Sequence, residues 1–509
     1  MKLQELLDPF DVVKTSGDLQ SEVVSITEDS RTVGSGSVFV AIQGVQQNGH
    51  HFVKQALARG AAAVVVEESC FQGDLDEVLP TNSALIQVKN SRKALGLMAS
   101  QLYGNPSRHL KMIGVTGTNG KTTVTHLAKS LLEAKGHQVG LLGTVGYVYG
   151  KERREASHTT PAPVQLQEML AEMVRTGTDV GVLEVSSHAL ALDRVAGCEF
   201  DIVVFTNLTQ DHLDFHQTME DYYQAKLQLF TEYVSGGQKS EPKRALVNAD
   251  DPWAPLILQQ CSIPAWTFGI HAQADIHAEA VQLGMDGTKF VVNSPLGRMS
   301  ITSQLVGEHN VSNMLAAIGI GLEMGISPAL IEQALESVSN VPGRFERIQE
   351  GQDFTVVVDY AHTDDALQRL LEAAQTIKQG RVITVFGCGG DRDPGKRSKM
   401  GQVAVKKSDL VIVTSDNPRT EDPQAILVDI EKGIEALPLE DRCSYQTFAD
   451  RAKAIQVAIE AAGPGDLVLI AGKGHEDYQI LGTQKVHFDD REEDRKAIRQ
   501  RRPSNEFER

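Results

Sequence analysis

The chain is 509 residues long, which at about 150 residues per domain predicts three domains rather than one. With 49 basic against 67 acidic side chains its formal charge is −18, which opposes non-specific attraction to nucleic acid or an anionic membrane surface. A hydrophobic content of 41% and a charged content of 23% exclude a disordered or fibrous chain. The opening MKLQELLDPF has no basic segment leading into an apolar stretch, and no apolar run approaches the ~20 residues of a membrane span, so a soluble cytoplasmic protein is expected. Cys70, Cys198, Cys261, Cys388 and Cys443 are odd in number and form no C-x-x-C pair, which indicates neither a disulfide framework nor a zinc site.

Short β-rich runs alternate with helical stretches, the pattern of α/β layers with parallel strands. A small N-terminal α/β domain is expected over residues 1–90. Leu110, Met112, Ile113 and Val115 read as a buried strand, and Val124, Leu127, Ala128, Leu131 and Leu132 follow the spacing of one helix face, with Gly136 as its cap. Strands at 180–185 and 202–205 continue a central domain, 91–342. After Pro342-Gly343 a second series, with strands at 354–359, 382–386, 410–414 and 467–470, predicts a Rossmann-like domain over 343–509. Helices near 364–377, 396–407, 423–437 and 450–462 separate those strands. From Arg491 the chain reads as too charged to pack well, with a mobile end.

The strand at 110–115 runs into Gly117, Thr118, Asn119, Gly120, Lys121, Thr122 and Thr123, and then directly into the helix. Glycines let successive backbone N–H groups turn toward one anion, the helix N-terminus adds partial positive charge, Lys121 reaches the outer phosphates and Thr122 can ligate Mg²⁺. Val115 stands where the strict G-x-x-x-x-G-K-[ST] string has glycine. Glu184 ends the strand at 180–185, and the polar loop from Thr206 to His216 follows the next one. Both are strand ends of the kind where open α/β sheets bind ligands. Two such ends beside a phosphate loop point to a metal-nucleotide cleft. By spacing alone, Lys226 is a solvated helix lysine.

Together GTNGKTT (117–123), EVSSH (184–188), DHLDFH (211–216), YYQAKLQLF (222–230), GEHNVSNMLAAI (307–318) and VPGRFE (341–346) resemble the Mur ligase family, ATP-dependent amide-forming enzymes of peptidoglycan precursor synthesis. The resemblance implies that Lys121 contacts the phosphates and that Thr122, Glu184 and His212 serve Mg²⁺. Lys226 is then carbamylated, so that it offers the metal an anionic oxygen instead of an ammonium. It also implies His309 and Asn310 as adenine-side contacts, and Arg344 as a residue reaching the nucleotide across the domain boundary. The catalytic set is thus Lys121, Glu184, His212 and Lys226.

The string Asp29-Ser30-Arg31 is similar to the uridine-nucleotide domain of the family members that add the third peptide residue, with Ser30 touching the uridine diphosphate. His158, Thr159, Thr160, Ser186 and Arg194 are the expected holders of the rest of that substrate. Asp416-Asn417-Pro418-Arg419 is similar to the signature of members that add meso-diaminopimelate, with Arg392, Gly472 and Glu476 completing the pocket. A planar guanidinium pairs bidentately with a distal carboxylate that lysine lacks. The implied activity is ligation of meso-2,6-diaminopimelate to UDP-N-acetylmuramoyl-L-alanyl-D-glutamate through an acyl phosphate, with ATP and Mg²⁺. A monomer acting on small molecules, without nucleic acid or membrane, is expected, and L-lysine is the alternative amine donor. Folylpolyglutamate synthetase shares the central design but not the uridine-domain or HTTP (158–161) strings. Arg392 stands where the third glycine of a dinucleotide fingerprint belongs in Gly387-Cys388-Gly389-Gly390-Asp391-Arg392, which excludes NAD. A regulatory ATPase subunit and a non-catalytic muropeptide-binding module are the readings from other classes; the second leaves Lys121, Glu184, His212 and Lys226 without a role.

Overall fold

The computed structural model describes residues 1–8, 10–44, 47–71, 79–80, 82–235, 237–240, 242–284 and 286–501. Three sheets, each with its own apolar core, organise the chain. In the five-stranded N-terminal sheet, Val12–Gly17, Ala84–Val88, Ala63–Glu67, Ser37–Val40 and Ser25–Thr27 lie side by side, and only the first pair is antiparallel. Helix Ser91–Leu102 follows residue 90 in sequence, yet its Ala94, Leu95, Met98 and Ala99 pack in the core of this sheet.

The central sheet has eleven strands, and strand Lys111–Thr116 lies between Ile202–Phe205 and Val180–Glu184, parallel to both. These strands are apolar on both faces because helices cover both, as parallel sheets require. Its flanks depart from the expected parallel order. Val139–Gly143, Gly146–Tyr149 and Glu152–Arg154 form an antiparallel meander at one side, and Ile276–Gly284, Gly287–Ser294 and Gly297–Ser303 form another. Short turns, which antiparallel strands allow, replace crossover helices there.

The C-terminal sheet orders Glu346–Ile348, Thr355–Asp359, Leu467–Ala471, Val382–Phe386, Leu410–Thr414 and Ser444–Phe448, all parallel after the first. Helix Asp364–Ile377 covers it with Leu367, Leu370, Leu371, Ala374 and Ile377, and the Thr363 hydroxyl caps its start by accepting the Ala366 N–H at 3.2 Å. Each such apolar side chain contributes about 1.5–3 kcal/mol on burial.

The charged tail corrects the expectation that it packs poorly. Asp490–Arg501 is a helix with Asp490, Asp494, Ala497 and Ile498 buried, one face at helical spacing, lying on helix Arg451–Ala461. Its anchor is an ion pair with no exposure on either side: Arg451 donates to both carboxylate oxygens of Asp490 at 2.7 Å. The end of the tail, 502–509, lies outside the described residues. No described helix is long and apolar enough to cross a membrane.

One turn along from Asp490, Asp494 is fully buried with no hydrogen-bond partner on either oxygen, and burial beside Asp490 pushes its carboxyl well above the ordinary range. The folded chain therefore holds a proton there that the unfolded chain releases, so this group makes stability fall as pH rises above the ordinary carboxyl value of 3.8. Asp494→Asn is expected to remove that component. Thermal melting between about pH 4 and 8 checks it, and an identical slope in wild type and variant contradicts it.

Candidate active site

The carboxyl ends of strands Lys111–Thr116, Val180–Glu184 and Ile202–Phe205 converge on the loop 117–120. Gly117 has φ +149°, and a Cβ there would lie 1.8 Å from Thr206 Oγ1. Gly120 has φ +88°, and a Cβ there would lie 2.4 Å from Asn313 Oδ1. Only glycine fits either place. The loop opens onto helix Lys121–Ala134, whose first N–H groups face the cleft.

Lys121 Nζ donates to the Gly117 and Thr118 carbonyls at 2.8 Å, and desolvation pushes its pKa down against the pull of Glu184 and Asp211. The Thr122 hydroxyl donates to Glu184 Oε2 at 3.1 Å and accepts from Arg344 Nη2 at 3.1 Å. The Glu184 carboxylate is fully buried and held otherwise by the Thr144 N–H and hydroxyl at 3.0 and 2.9 Å. Arg344 arrives from beyond Pro342, its guanidinium 4.7 Å from the Tyr360 ring. His309 and Asn310 line the same cavity of about 220 Å³ as Lys121, Thr122 and Glu184. Burial pushes His309 down to about 4. Asn310 donates to the Val306 carbonyl, and Asn313 donates to Asn310 Oδ1.

Lys226 corrects its reading from spacing. It is 1% exposed, its Nζ donates to the Gly117 carbonyl at 2.8 Å, and it lies 4.5 Å from the centre of the Tyr222 ring. Burial, then Lys121, push it well below the ordinary lysine value. His212 sits at φ +55°, 3.3 Å from the Asp211 carboxylate, and burial lowers it to about 3. His188, Phe215, His216 and Tyr222 pack around it as an aromatic cluster.

Among the described residues, no three of His, Cys, Asp and Glu converge on one point. The donor set beside the phosphate loop is one buried carboxylate and one hydroxyl, both oxygen. This fits a hard ion such as Mg²⁺, which takes few protein ligands and completes its shell with phosphate and water.

The residues expected to hold the uridine substrate are divided in space. Ser30 lies in a separate cavity of about 660 Å³ in the N-terminal unit, with Glu28, Gly44 and Arg92. Thr159 and Ser186 line the phosphate-loop cavity. Thr160 is buried and donates to the Glu184 carbonyl at 2.8 Å, and Arg194 Nη1 donates to the Thr160 carbonyl. His158 is exposed. Burial pushes Glu28 up while Arg92 and Arg194 oppose it, which marks an electrostatic link between the two regions.

The C-terminal set does come together. Arg392, Asp416, Asn417, Arg419, Gly472 and Glu476 line a cavity of about 250 Å³ at the carboxyl edge of four adjacent strands, together with Asp211 and His212. Pro418 only supports it, its carbonyl lying against Gly390. Arg419 Nη1 donates to the Gly390 carbonyl at 2.7 Å, and burial and Arg392 push the Arg419 guanidinium's pKa down. Sequence reasoning missed Asp365, whose Oδ2 accepts from Asn119 Nδ2 at 2.8 Å and from the Thr209 hydroxyl at 3.3 Å, tying the C-terminal unit to the phosphate loop. It also missed Lys396 and Tyr360, which line the same cavity, although Lys396 lies four residues past Arg392 and Tyr360 directly follows a strand end.

The chain belongs to the Mur ligase family. Residues 22–103 match the Mur ligase family catalytic domain, 115–321 the Mur ligase middle domain and 343–474 the Mur ligase glutamate ligase domain. Proteins of Geobacter metallireducens and Gloeobacter violaceus named UDP-N-acetylmuramoyl-L-alanyl-D-glutamate–2,6-diaminopimelate ligase are 42% and 46% identical to it, over 98% and 99% of this chain and 99% of each relative. A solved structure of a ligase of that name superposes with a TM-score of 0.69 at 32% identity, over 98% of this chain and 99% of the other.

The geometry of the loop makes Gly120→Ala a direct test. The added Cβ forces Asn313 or the loop backbone to move, and nucleotide affinity is expected to fall about tenfold or more, read by calorimetric titration with ADP. Unchanged affinity would place the nucleotide elsewhere.

Proposed function

We propose that the protein joins meso-2,6-diaminopimelate to the free carboxyl group of the D-glutamate in UDP-N-acetylmuramoyl-L-alanyl-D-glutamate, with cleavage of ATP, in peptidoglycan precursor synthesis. The observation that carries this reading is one cleft with two ends. A phosphate loop lies at one end and a pocket with two arginines and five carboxylates at the other, in a chain 42% and 46% identical over its length to proteins named for that reaction.

In this reading residues 1–90 take the uridine nucleotide through Ser30, 91–342 take ATP, and 343–509 take the amino acid. Gly117 to Thr123 wrap the phosphates, His309 and Asn310 border the adenine, and Arg344 brings charge across the junction. His158, Thr159, Thr160, Ser186 and Arg194 orient the acceptor peptide. Its carboxylate attacks the terminal phosphoryl group, ADP departs, and an acyl phosphate forms. The amine, having lost its proton, attacks the acyl carbon, and phosphate leaves with the electron pair. Lys121 and Arg344 offset charge that gathers during phosphoryl transfer, and holding amine and acyl carbon together removes much of the entropic barrier. Thr122, Glu184, His212 and carbamylated Lys226 would hold Mg²⁺, which supplies further charge stabilisation when bound. The protein is read as a cytoplasmic monomer with small-molecule partners only.

Burial supports the modification of Lys226. Burial disfavours the ammonium form of Lys226 and so favours the free amine, whose lone pair can attack CO₂, forming a C–N bond and releasing a proton. Lys226→Ala is expected to lose activity by roughly a hundredfold. Intact mass in bicarbonate buffer should show one added CO₂ on the wild type only, and its absence there contradicts the modification.

Arg392 and Arg419 favour diaminopimelate over lysine, because lysine lacks the distal carboxylate that a guanidinium would pair with. Release of ADP should require both the uridine-linked dipeptide and the amino acid, and the product mass identifies the amine donor. Arg419→Ala is expected to lower the preference for diaminopimelate over lysine by about a hundredfold or more. A preference that survives the change removes Arg419 from recognition.

A further inference from the structure

Behind the wall of the proposed amino-acid pocket lies a buried charge that the reading above leaves unused. Lys473 is 0% exposed. Its Nζ lies 3.2 Å from Glu476 Oε2, 3.3 Å from Asn417 Oδ1 and 3.7 Å from Asp416 Oδ1. An ammonium in such a place is retained only where anions and acceptors surround it. The Asn417 amide is oriented by the same group, since its Oδ1 accepts from Lys473 and from the Ile480 N–H at 2.9 Å, and its Nδ2 donates to Glu476 Oε2 at 3.0 Å. Gly472, at φ +117°, lets the loop close, because a Cβ there would lie 2.8 Å from Asp416 Oδ2.

Asp416 and Glu476 are two anions and Lys473 is one cation. The neighbouring Arg451 is already paired bidentately with Asp490, and Arg419 is drawn to the Gly389-Gly390 turn near Arg392. One negative charge is left over beside Asn417. The far end of a diamino dicarboxylic acid carries one ammonium and one carboxylate, and the carboxylate is the arginines' share.

We propose that Lys473 is a specificity-determining positioning residue: beside Asn417 it offsets one of the two adjacent carboxylates, Asp416 and Glu476, and orients the amide, leaving one local net anion at Glu476 for the distal ammonium of the incoming diamino acid. This rests on the ligase reading. Burial and Asp416 push the Glu476 carboxyl up, while Lys473 and Asn417 hold it down; Arg419, Tyr360 and Tyr478 are the other titratable groups facing it. Without Lys473, Glu476 takes up a proton more readily and the ammonium loses its partner.

The test is steady-state ADP release by the full-length protein with Lys473→Met, Lys473→Gln, and Lys473→Met combined with Asp416→Asn. Lys473→Met is expected to raise KM for diaminopimelate about tenfold or more, to leave KM for ATP and for the uridine-linked dipeptide within about twofold, and to move the acid limb of kcat/KM for diaminopimelate to higher pH. Lys473→Gln keeps a donor without the charge and should match Met. The double variant restores the wild-type charge count and should recover at least about threefold of the lost affinity. The proposal is overturned if Gln behaves as wild type, if all three KM values rise together, or if the double variant is no better than Lys473→Met. Should Lys473→Met fail to fold, the double variant must fold and bind diaminopimelate, and its failure counts equally against the proposal. A wild type that releases no ADP in response to diaminopimelate overturns the ligase reading instead.

Discussion

Two amines converge on one carbonyl oxygen. Lys121 and Lys226 both donate to the Gly117 carbonyl at 2.8 Å, the first half-buried and the second fully so. Like charges that close in a desolvated place oppose one another, and each lowers the other's affinity for its proton. The nearby anions, Glu184 and Asp211, do not form an ion pair with either amine, because Glu184 is taken up by Thr122 and Thr144, and Asp211 by His212. Both amines thus meet backbone carbonyls at the loop and no carboxylate at ion-pair distance. Adding phosphate at Lys121, or converting the Lys226 amine to a carbamate, relieves the same tension from opposite sides. In the proposed reading, nucleotide binding and lysine modification thus answer to one electrostatic constraint, set by where the Gly117 carbonyl points.

That constraint acts across the chain because the two sheets present their carboxyl edges to each other. Strand ends at Thr116, Glu184 and Phe205 face strand ends at Asp359, Phe386, Thr414 and Ala471, and the segment Val341 to Glu346 joins them. The joining contacts are both apolar and polar, for Val306 is buried in the core of the C-terminal sheet. Arg344 donates to Thr122, and Asp365 accepts from Asn119 and Thr209. Polar links of this sort are individually worth about 0.5–1.5 kcal/mol net, and the apolar contact at Val306 adds to them. A ligase needs such a junction, since the amine and the activated carboxyl group arrive from different units and have to meet without water between them.

Much of this was legible in the sequence, and the limits have physical reasons. Helix Asp364–Ile377 was readable to the residue, because a Thr cap, two first-turn acids and an unbroken apolar stripe all agree. The phosphate loop was readable because glycine, lysine and threonine sit between a strand and a helix in register. The tail helix was not, because the apolar spacing that defines a helix face is carried there partly by Asp490 and Asp494, whose burial depends on Arg451 about 40 residues away. Helix Ser91–Leu102 was set beyond the first boundary for a similar reason, since a loop ahead of it says nothing about which sheet it covers. Lys226 shows the same limit at the site itself. Helical spacing reports which face a residue occupies, while burial depends on whether another element, here the phosphate loop, packs on that face. Lys473 gives no signal in the sequence either, since only the closure of Gly472 against Asp416 puts it inside.

Specificity in such a pocket has a backbone cause as well as a side-chain one. Arg419 is a non-glycine residue at φ +52°, a left-handed conformation that costs an L-residue about 1–2 kcal/mol. It is kept there by the hairpin of Tyr478–Leu481 and Gln484–His487, for its N–H donates to the Ile480 carbonyl at 3.1 Å and its carbonyl accepts the Gly482 N–H at 2.8 Å. The same hairpin holds the neighbouring loop, as Gln479 donates to the Asp416 carbonyl at 2.6 Å and Ile480 to Asn417. Two backbone bonds of about 1 kcal/mol each are enough to offset the strain. The turn is what brings the guanidinium back toward Arg392 instead of letting it extend into solvent. A relaxed right-handed turn at 419 would move the charge away from the pocket even with arginine present. In the proposed reading, the preference for an amino acid with a distal carboxylate therefore depends on the hairpin that follows GKGHE as much as on the arginine that the DNPR string displays.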